Sequence, residues 1–372
     1  MKNQVIKLMF AVTVAFSIFS CSNDGNNDEI TKLPTIAEIV VANPQFTVLL
    51  KGLDVSGLTP TFTAAGSYTV FAPTNTAFAA YTSALFPAGI TDVTLFDPIT
   101  KLPPVSLTAT QKAELKRILQ YHVLGIGTLS NDLLTSEYSK TFAAGPTTAS
   151  NGSLSMLVNK IGADVFINGG ATNGGAKVTS ADINASNGVV HLIDSVLKLP
   201  TIVDIVKANP KLSTLLAVLS GTATTPGAFG DQSAVLAVLN APVATATPAR
   251  TVYAPLNDAF TAATTGSGFL TGAAVTAANV TKVLQYHVEA SNRLTNTAGT
   301  SFSTTMNVTV NTLLPITPST TPATFQQFLL QQGLIRIKES LTTSVASNMK
   351  SINIQGTNGV IHTIERVLQP VL

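Results

Sequence analysis

The sequence predicts an α+β protein made of two copies of one domain. The segment Leu33-Pro34-Thr35-Ile36, running on to Ala42-Asn43-Pro44 and Leu49-Leu50, returns 166 residues later (33 to 199) as Leu199-Pro200-Thr201-Ile202, Ala208-Asn209-Pro210 and Leu215-Leu216. Solenoid units repeat at roughly 20–50 residues, so this period is that of a whole domain. Within each copy, stretches of helical periodicity alternate with short β-branched and aromatic runs. Four such blocks recur in the same order.

The first block is a helix. Ile36, Ile39, Val40 and Val41 lie near one stripe, as do Ile202, Ile205 and Val206, and Thr35 and Thr201 stand where an N-cap belongs. Asn43-Pro44 and Asn209-Pro210 end or bend it. The second block is a strand, Tyr68-Thr69-Val70-Phe71-Ala72-Pro73, matched by Arg250-Thr251-Val252-Tyr253-Ala254-Pro255. Asn75 and Asn257 follow as structural turn residues, expected to accept N–H bonds from the next turn, with Phe78 and Phe260 locking that turn into the core. The third block is helical again: Leu115, Ile118, Leu119 and His122 fall at helix spacing, as do Val280, Val283, Leu284 and His287, and both copies read Gln-Tyr-His-Val. The fourth opens on Asn187-Gly188 and Asn358-Gly359, a strong turn signal because both residue types tolerate positive φ. In the strand that follows, Val189, His191 and Ile193 share one face. Leu192 and Asp194 share the other; Thr363 and Glu365 mark it in copy two as the more solvated face.

The offset between copies grows to 182 at Asn75/Asn257, returns to 165 at His122/His287 and stands at 171 at His191/His362. Copy one therefore carries an insertion around Ala80–Thr110, copy two one around Thr222–Ala249, and a smaller one lies within Asn292–Thr343. Partner-specific contacts are expected in such loops. Lys198-Leu199-Pro200 leaves almost no linker, so interdomain motion should be restricted.

Charged residues make up 11% of the 372, and the net charge is +2. No Lys/Arg cluster exists to displace counterions, which argues against nucleic acid as a partner. Trp is absent, which weakens a sugar-stacking platform built on it. The one cysteine, Cys21, follows a charged start (Lys2, Lys7) and an apolar run from Leu8 to Phe19, too short for a permanent span but suited to a signal peptide. Ile18-Phe19-Ser20-Cys21 resembles a bacterial lipobox, with Phe19 bulkier than the usual residue. That resemblance implies cleavage before Cys21 and acylation of it, hence a membrane anchor. Ser22–Glu29 reads as a polar, acidic tether and looks like the surface-export signals of Bacteroidetes lipoproteins. The expected layout is a signal peptide at 1–20, a tether at 21–32, and domains at 33–198 and 199–372.

All four histidines, His122, His191, His287 and His362, sit in the repeated blocks. Two per domain, without cysteine, fall short of a zinc set. A catalytic pair would need a carboxylate held close, and Asp194 and Glu365 should point away from His191 and His362. The expectation is therefore structural: the helix and strand imidazoles lie in the core and satisfy local polar groups or each other. No catalytic residue, metal or cofactor is expected.

The four blocks in this order resemble the fasciclin domain. Thr69–Asn75, Tyr121-His122 and Asn187–Asp194 carry the likeness in copy one; Thr251–Asn257, Tyr286-His287 and Asn358–Glu365 carry it in copy two, where Leu256 and Glu365 depart from the usual Thr and Asp. The resemblance implies an α+β module, a β-sandwich-like wedge with a cluster of helices, and extracellular adhesion without catalysis. It also implies a candidate binding stretch at Tyr121, His122, Tyr286 and His287. The expected function is a lipid-anchored adhesion protein of the outer membrane or cell surface that contacts a glycoprotein, matrix or polysaccharide. The alternatives are a glycan-binding accessory of a polysaccharide uptake system and, least favoured, a hydrolase.

Overall fold

In the computed structural model, the described residues are 32–79, 107–133, 137–146, 152–222, 229–244, 248–265, 270, 275–294, 308–315, 325–330, 336–339 and 346–370. The segments expected to be a signal peptide and a tether, with Cys21 between them, and most of the 80–110 insertion lie outside them.

Copy one begins with helix α1 (Ile36–Ala42), where Thr35 and Glu38 form a capping box. Asn43 then caps a short 3-10 turn at Pro44–Phe46, so the Asn-Pro step bends the chain as its chemistry demands. Helices α2 (Thr47–Ser56) and α3 (Thr59–Thr63) follow. Strand β1 (Tyr68–Pro73) leads into α4 (Asn75–Ala79). Helix α5 (Ala109–Tyr121) starts at a second capping box, Thr108 with Gln111, so the insertion read as ending at Thr110 closes slightly earlier. Strands β2 (Val123–Leu124), β3 (Glu137–Ala144), β4 (Ser153–Ile161), β5 (Asp164–Ile167), β6 (Ala176–Ala185) and β7 (Gly188–Ile193) complete the copy. The wedge of strands closes on itself as a seven-stranded barrel, sealed where β7 runs parallel to β1 from Tyr68↔Gly188 to Pro73↔Ile193.

Copy two repeats the plan. Its elements are α6 (Ile202–Ala208), α7 (Ser213–Leu219), α8 (Ser233–Asn240), β8 (Arg250–Pro255), α9 (Asn257–Thr264), α10 (Ala277–Tyr286), β9 (Val288–Glu289), β10 (Val308–Pro315), β11 (Phe325–Leu330), β12 (Arg336–Glu339), β13 (Ser347–Asn348), β14 (Ile354–Gly356) and β15 (Gly359–Ile364). β15 pairs in parallel with β8, again over six positions. Here the eight strands run in the order β13-β12-β11-β10-β9-β8-β15-β14, and the chain just past β13 returns to β15 through the Met349↔Ile364 bridge. The 222–249 region, expected as a variable loop, contains α8.

One apolar core gathers residues from Ile36 to Leu199, and a second starts at Ile202 and reaches Val367. The strand face expected to be solvated is covered, since Leu192 and Thr363 are buried and only Asp194 and Glu365 emerge. The copies meet directly. The Gln355 N–H donates to Ser155 Oγ at 2.9 Å, and Lys140 Nζ donates to the Asn353 carbonyl. Asn209 Nδ2 donates to the Tyr138 hydroxyl at 2.9 Å, and Lys198 pairs with Asp204 at 3.2 Å. Gly169, at φ +78°, lies against Ala208; a Cβ there would stand 3.2 Å from the Ala208 Cα.

Candidate functional site

The Tyr-His pair ends α5 and α10, and both side chains of each pair turn inward. Tyr121 is fully buried; its hydroxyl donates to the Ser155 carbonyl at 2.8 Å and accepts from Asn168 Nδ2 at 2.9 Å. Tyr286 donates to the Gln327 carbonyl at 2.8 Å. His122 stands just past the helix, at its C-cap. Its Nδ1–H donates back to the Ile118 carbonyl at 2.8 Å, and its Nε2 accepts the Leu197 N–H at 2.9 Å. His287 does the same with Val283 (2.7 Å) and Leu368 (2.8 Å). Each ring thus clasps a helix end to the C-terminal tail of its domain. Burial pushes both imidazoles down to about 4, so they are neutral at pH 7. The stretch Tyr121, His122, Tyr286 and His287 consequently offers no side chain to a partner, which corrects its reading as a binding surface. A cavity of about 20 Å³ beside His287, walled by Val206, Leu215, Phe260 and Val283, has room for about one water and apolar walls.

The strand histidines use the opposite tautomer. His191 Nε2–H donates to the Thr128 carbonyl at 3.0 Å, and Nδ1 accepts the Asp182 N–H at 3.2 Å. His362 binds the Arg293 carbonyl (2.8 Å) and the Asn353 N–H (3.3 Å) in the same way. Asp182 and Asn353 both adopt left-handed backbone, at φ 63° and 58°, which aims their N–H groups at the rings. The helix and strand imidazoles satisfy backbone groups, not each other. His191 also stacks on Phe71, and His362 on Tyr253.

The acid beside His191 is Asp182, with Oδ1 at 3.9 Å from Nδ1. Sequence reasoning missed it; an Asp or Asn nine residues before each strand histidine was the available signal. The arrangement is not that of an activated nucleophile. Ser130 donates its hydroxyl (2.6 Å) and N–H (2.7 Å) to the Asp182 carboxylate, whereas the triad chemistry needs serine on the imidazole. Asp194 instead accepts the Lys177 N–H, and Glu365 pairs with Lys350.

The asparagines act over long range. Asn187 Oδ1 accepts the Ile36 N–H at 2.9 Å, while Nδ2 donates to the carbonyls of Phe62 and Ala64. Asn358 joins Ile202, Leu239 and Ala241 identically, so α8 is the counterpart of α3. Asn75 does not cap its own helix. It accepts the Val48 N–H at 3.1 Å and donates to the Pro44 carbonyl and Thr47 hydroxyl, pinning the start of α2; Thr74 Oγ1 accepts the Ala77 N–H instead. Asn257 repeats this with Thr214, Pro210 and Ser213.

Copy two holds a largely buried ion pair beside its sheet, whereas the Lys177–Asp164 pair on the strands of copy one is exposed. Glu289, 6% exposed, is bound by both Nε and Nη2 of Arg293 and by the hydroxyls of Ser291 and Tyr253. Copy one places Leu124, Thr128 and Phe71 at the positions of Glu289, Arg293 and Tyr253. Both carboxylate oxygens of Glu289 are engaged by the protein itself. Among the described residues no group of three or more His, Cys, Asp or Glu side chains is placed to hold a metal ion.

The comparisons with known proteins agree with this plan. The fasciclin domain matches twice, at residues 44–200 and 228–370. Protein sll1483 of Synechocystis sp. is 33% identical over 166 residues, 45% of this chain and 74% of that protein. The pig transforming growth factor-beta-induced protein ig-h3 is 30% identical over 166 residues, 45% of this chain but 19% of its own length. A solved FAS1 domain pair from the insect cell adhesion molecule fasciclin I covers 87% of this chain at 17% identity, with a TM-score of 0.47. Fasciclin domains are associated with cell adhesion. With its two matched copies, this chain belongs to the fasciclin family.

Proposed function

We propose that the chain is a non-catalytic adhesion lipoprotein, held at the outer membrane or cell surface by acyl chains on Cys21 and contacting an extracellular glycoprotein, matrix or polysaccharide. One observation carries the reading. The polar residues the two copies share are spent inside each domain on backbone groups. What remains for a partner is the outer surface, where the copies differ. Two modules displayed on one membrane would add their weak contacts through effective concentration.

The test joins three measurements on cells producing the full chain. Incorporation of a clickable palmitate analogue should be lost in Cys21→Ser, protease added to intact cells should remove the protein, and deletion should reduce adherence to a mucin- or matrix-coated surface. Unchanged adherence with lost growth on a polysaccharide would replace adhesion by the uptake role. Turnover of a polysaccharide by the purified protein would refute the non-catalytic reading.

A further inference from the structure

The duplicated fold exposes on copy one a face that copy two keeps covered. In copy two, Leu199 is 5% exposed, Ala208 5% and Gln355 0%, because these residues rest on or beside β3, β4 and the glycine-rich loop after β5. Their counterparts in copy one are Leu33, Ala42 and Asn184. Leu33 is 53% exposed, and Ala42 and Asn184 are also exposed. Pro34 is exposed where Pro200 is buried. The backbone beneath is the same: Ser186 N–H donates to the Pro34 carbonyl as Thr357 N–H does to that of Pro200. Val41, 64% exposed, extends the apolar part of this face.

The receiving side also has an unoccupied counterpart. Copy one meets copy two through Lys140 on β3 and Ser155 on β4, whose side chains are bonded at 3.1 Å. In copy two the same register places Asn311 on β10 and Gln327 on β11, bonded at 2.6 Å and exposed. Tyr121 and Tyr286 fix the equivalence by donating to the carbonyls of Ser155 and Gln327. At Leu33, Ala42 and Asn184 on one side and Asn311 and Gln327 on the other, the chain therefore carries exposed counterparts of both halves of its internal interface, with Thr309 where Tyr138 stands; the counterpart of the glycine-rich loop lies outside the described residues.

We propose that the α1 face of copy one docks the β10–β11 face of copy two in a second copy of this chain, head to tail. The occupant follows from the covered interface, which already joins these two kinds of surface within one molecule. Such a contact is heterologous, so it propagates as an open row rather than closing as a two-fold dimer. Asn311 in place of Lys140 removes the cation that reaches Asn353, so the contact between molecules is weaker than the one within. That suits crowded display on a membrane, and this inference rests on the adhesion reading for its use.

The experiment uses the full chain carrying Cys21→Ser, studied by sedimentation velocity from ~10 µM to ~1 mM, a range set by the millimolar effective concentration typical of short linkers. The expected result is reversible growth beyond dimer. Ala42→Arg and Gln327→Arg lie on exposed surface and should each weaken it at least about tenfold, while far-UV circular dichroism stays unchanged. In the same Cys21→Ser chain, mixing Asn184→Cys with Gln327→Cys, the counterparts of the bonded Gln355 and Ser155, under a mild oxidant should give the mixed disulfide faster than either variant alone gives its own dimer. A monomer throughout, or association indifferent to both arginine variants, overturns the proposal. So does faster cross-linking of Asn184→Cys to itself, which would mean a two-fold contact. If deletion abolishes adherence while the chain stays monomeric, the adhesion reading stands and this inference falls.

Discussion

Acidification from pH 7 to pH 5 is expected to destabilise the fold steeply, because its imidazoles refuse protons that the unfolded chain accepts. Burial pushes His287 and His362 down to about 4; for His362 the facing charges of Glu289, Arg293 and Lys140 only modulate that effect. The unfolded value is about 6.5. For a base whose folded pKa is depressed, the stabilisation is complete above pH ~6.5 and is lost progressively as the pH falls toward ~4. From 6.5 to 5 is about 1.5 units at about 1.36 kcal/mol each, or about 2 kcal/mol per ring. The two rings of copy two together remove about 4 kcal/mol, against the ~5–15 kcal/mol that a domain holds. In copy one, His122 behaves alike and His191 is lowered in the same direction.

The structural cause is specific. Protonating Nε2 of His287 turns the acceptor of the Leu368 N–H into a second donor, so the clasp on the C-terminal tail opens. Urea unfolding at half-unit steps between pH 7.5 and 5, fitted with a common m-value, reads the slope. Near pH 5.5 it should correspond to about one proton taken up per ring on unfolding. His287→Gln should lower neutral-pH stability yet remove about one proton from that uptake. Stability that stays level from pH 7 to 5, or folded-state imidazole resonances titrating near 6.5, would refute the reasoning.

Other perturbations follow from the turn geometry. Gly188→Ala places a Cβ 2.1 Å from the Tyr68 carbonyl oxygen at φ +152° and should cost about 3 kcal/mol or more, whereas Gly57→Ala, at φ +70° with open space, should cost about 1–2 kcal/mol; paired urea titrations compare them. Asn187→Ala strands three backbone groups and should remove about 3 kcal/mol or more from copy one, read by the same method. Glu289→Leu alone leaves the half-buried Arg293 unpaired and should cost about 1–3 kcal/mol. Adding Arg293→Thr and Tyr253→Phe, the residues of copy one, should recover most of that loss in thermal melts.

Interactions that close within a few residues were legible in the sequence. Thr35 and Thr201 cap their helices through residues three further on, and the extents of β1 and β8 follow from composition and the proline stops. The block histidines were legible as interior. Their partners were not, because a ring nitrogen reaching Leu197 from His122 spans 75 residues and leaves no local pattern. Asn75 shows the same limit: the local rule makes it a cap for the next turn, but the fold brings the start of α2 nearer. Strands β3–β6 carry no shared motif, so comparing the copies could not mark them. Helix α8 hid inside an apparent insertion because its partner α3 has only five residues.

The two copies differ most where no shared clasp depends on the side chain. Leu124 and Glu289 have unlike chemistry, yet each lies beside a strand whose histidine binds the same backbone positions, Thr128 and Asp182 in one copy and Arg293 and Asn353 in the other. A histidine or asparagine that addresses backbone imposes nothing on the identity of the residue whose N–H or carbonyl it takes. Thr128 can become Arg293, and Asp182 can become Asn353, without loss of a bond. The scaffold thus tolerates divergence at its own contact points. Outside, Leu33 and Leu199 are the same residue at equivalent positions on the same frame, one open and one covered. On the adhesion reading proposed above, recognition would be set by which faces a neighbouring copy leaves exposed, more than by the motif that defines the family.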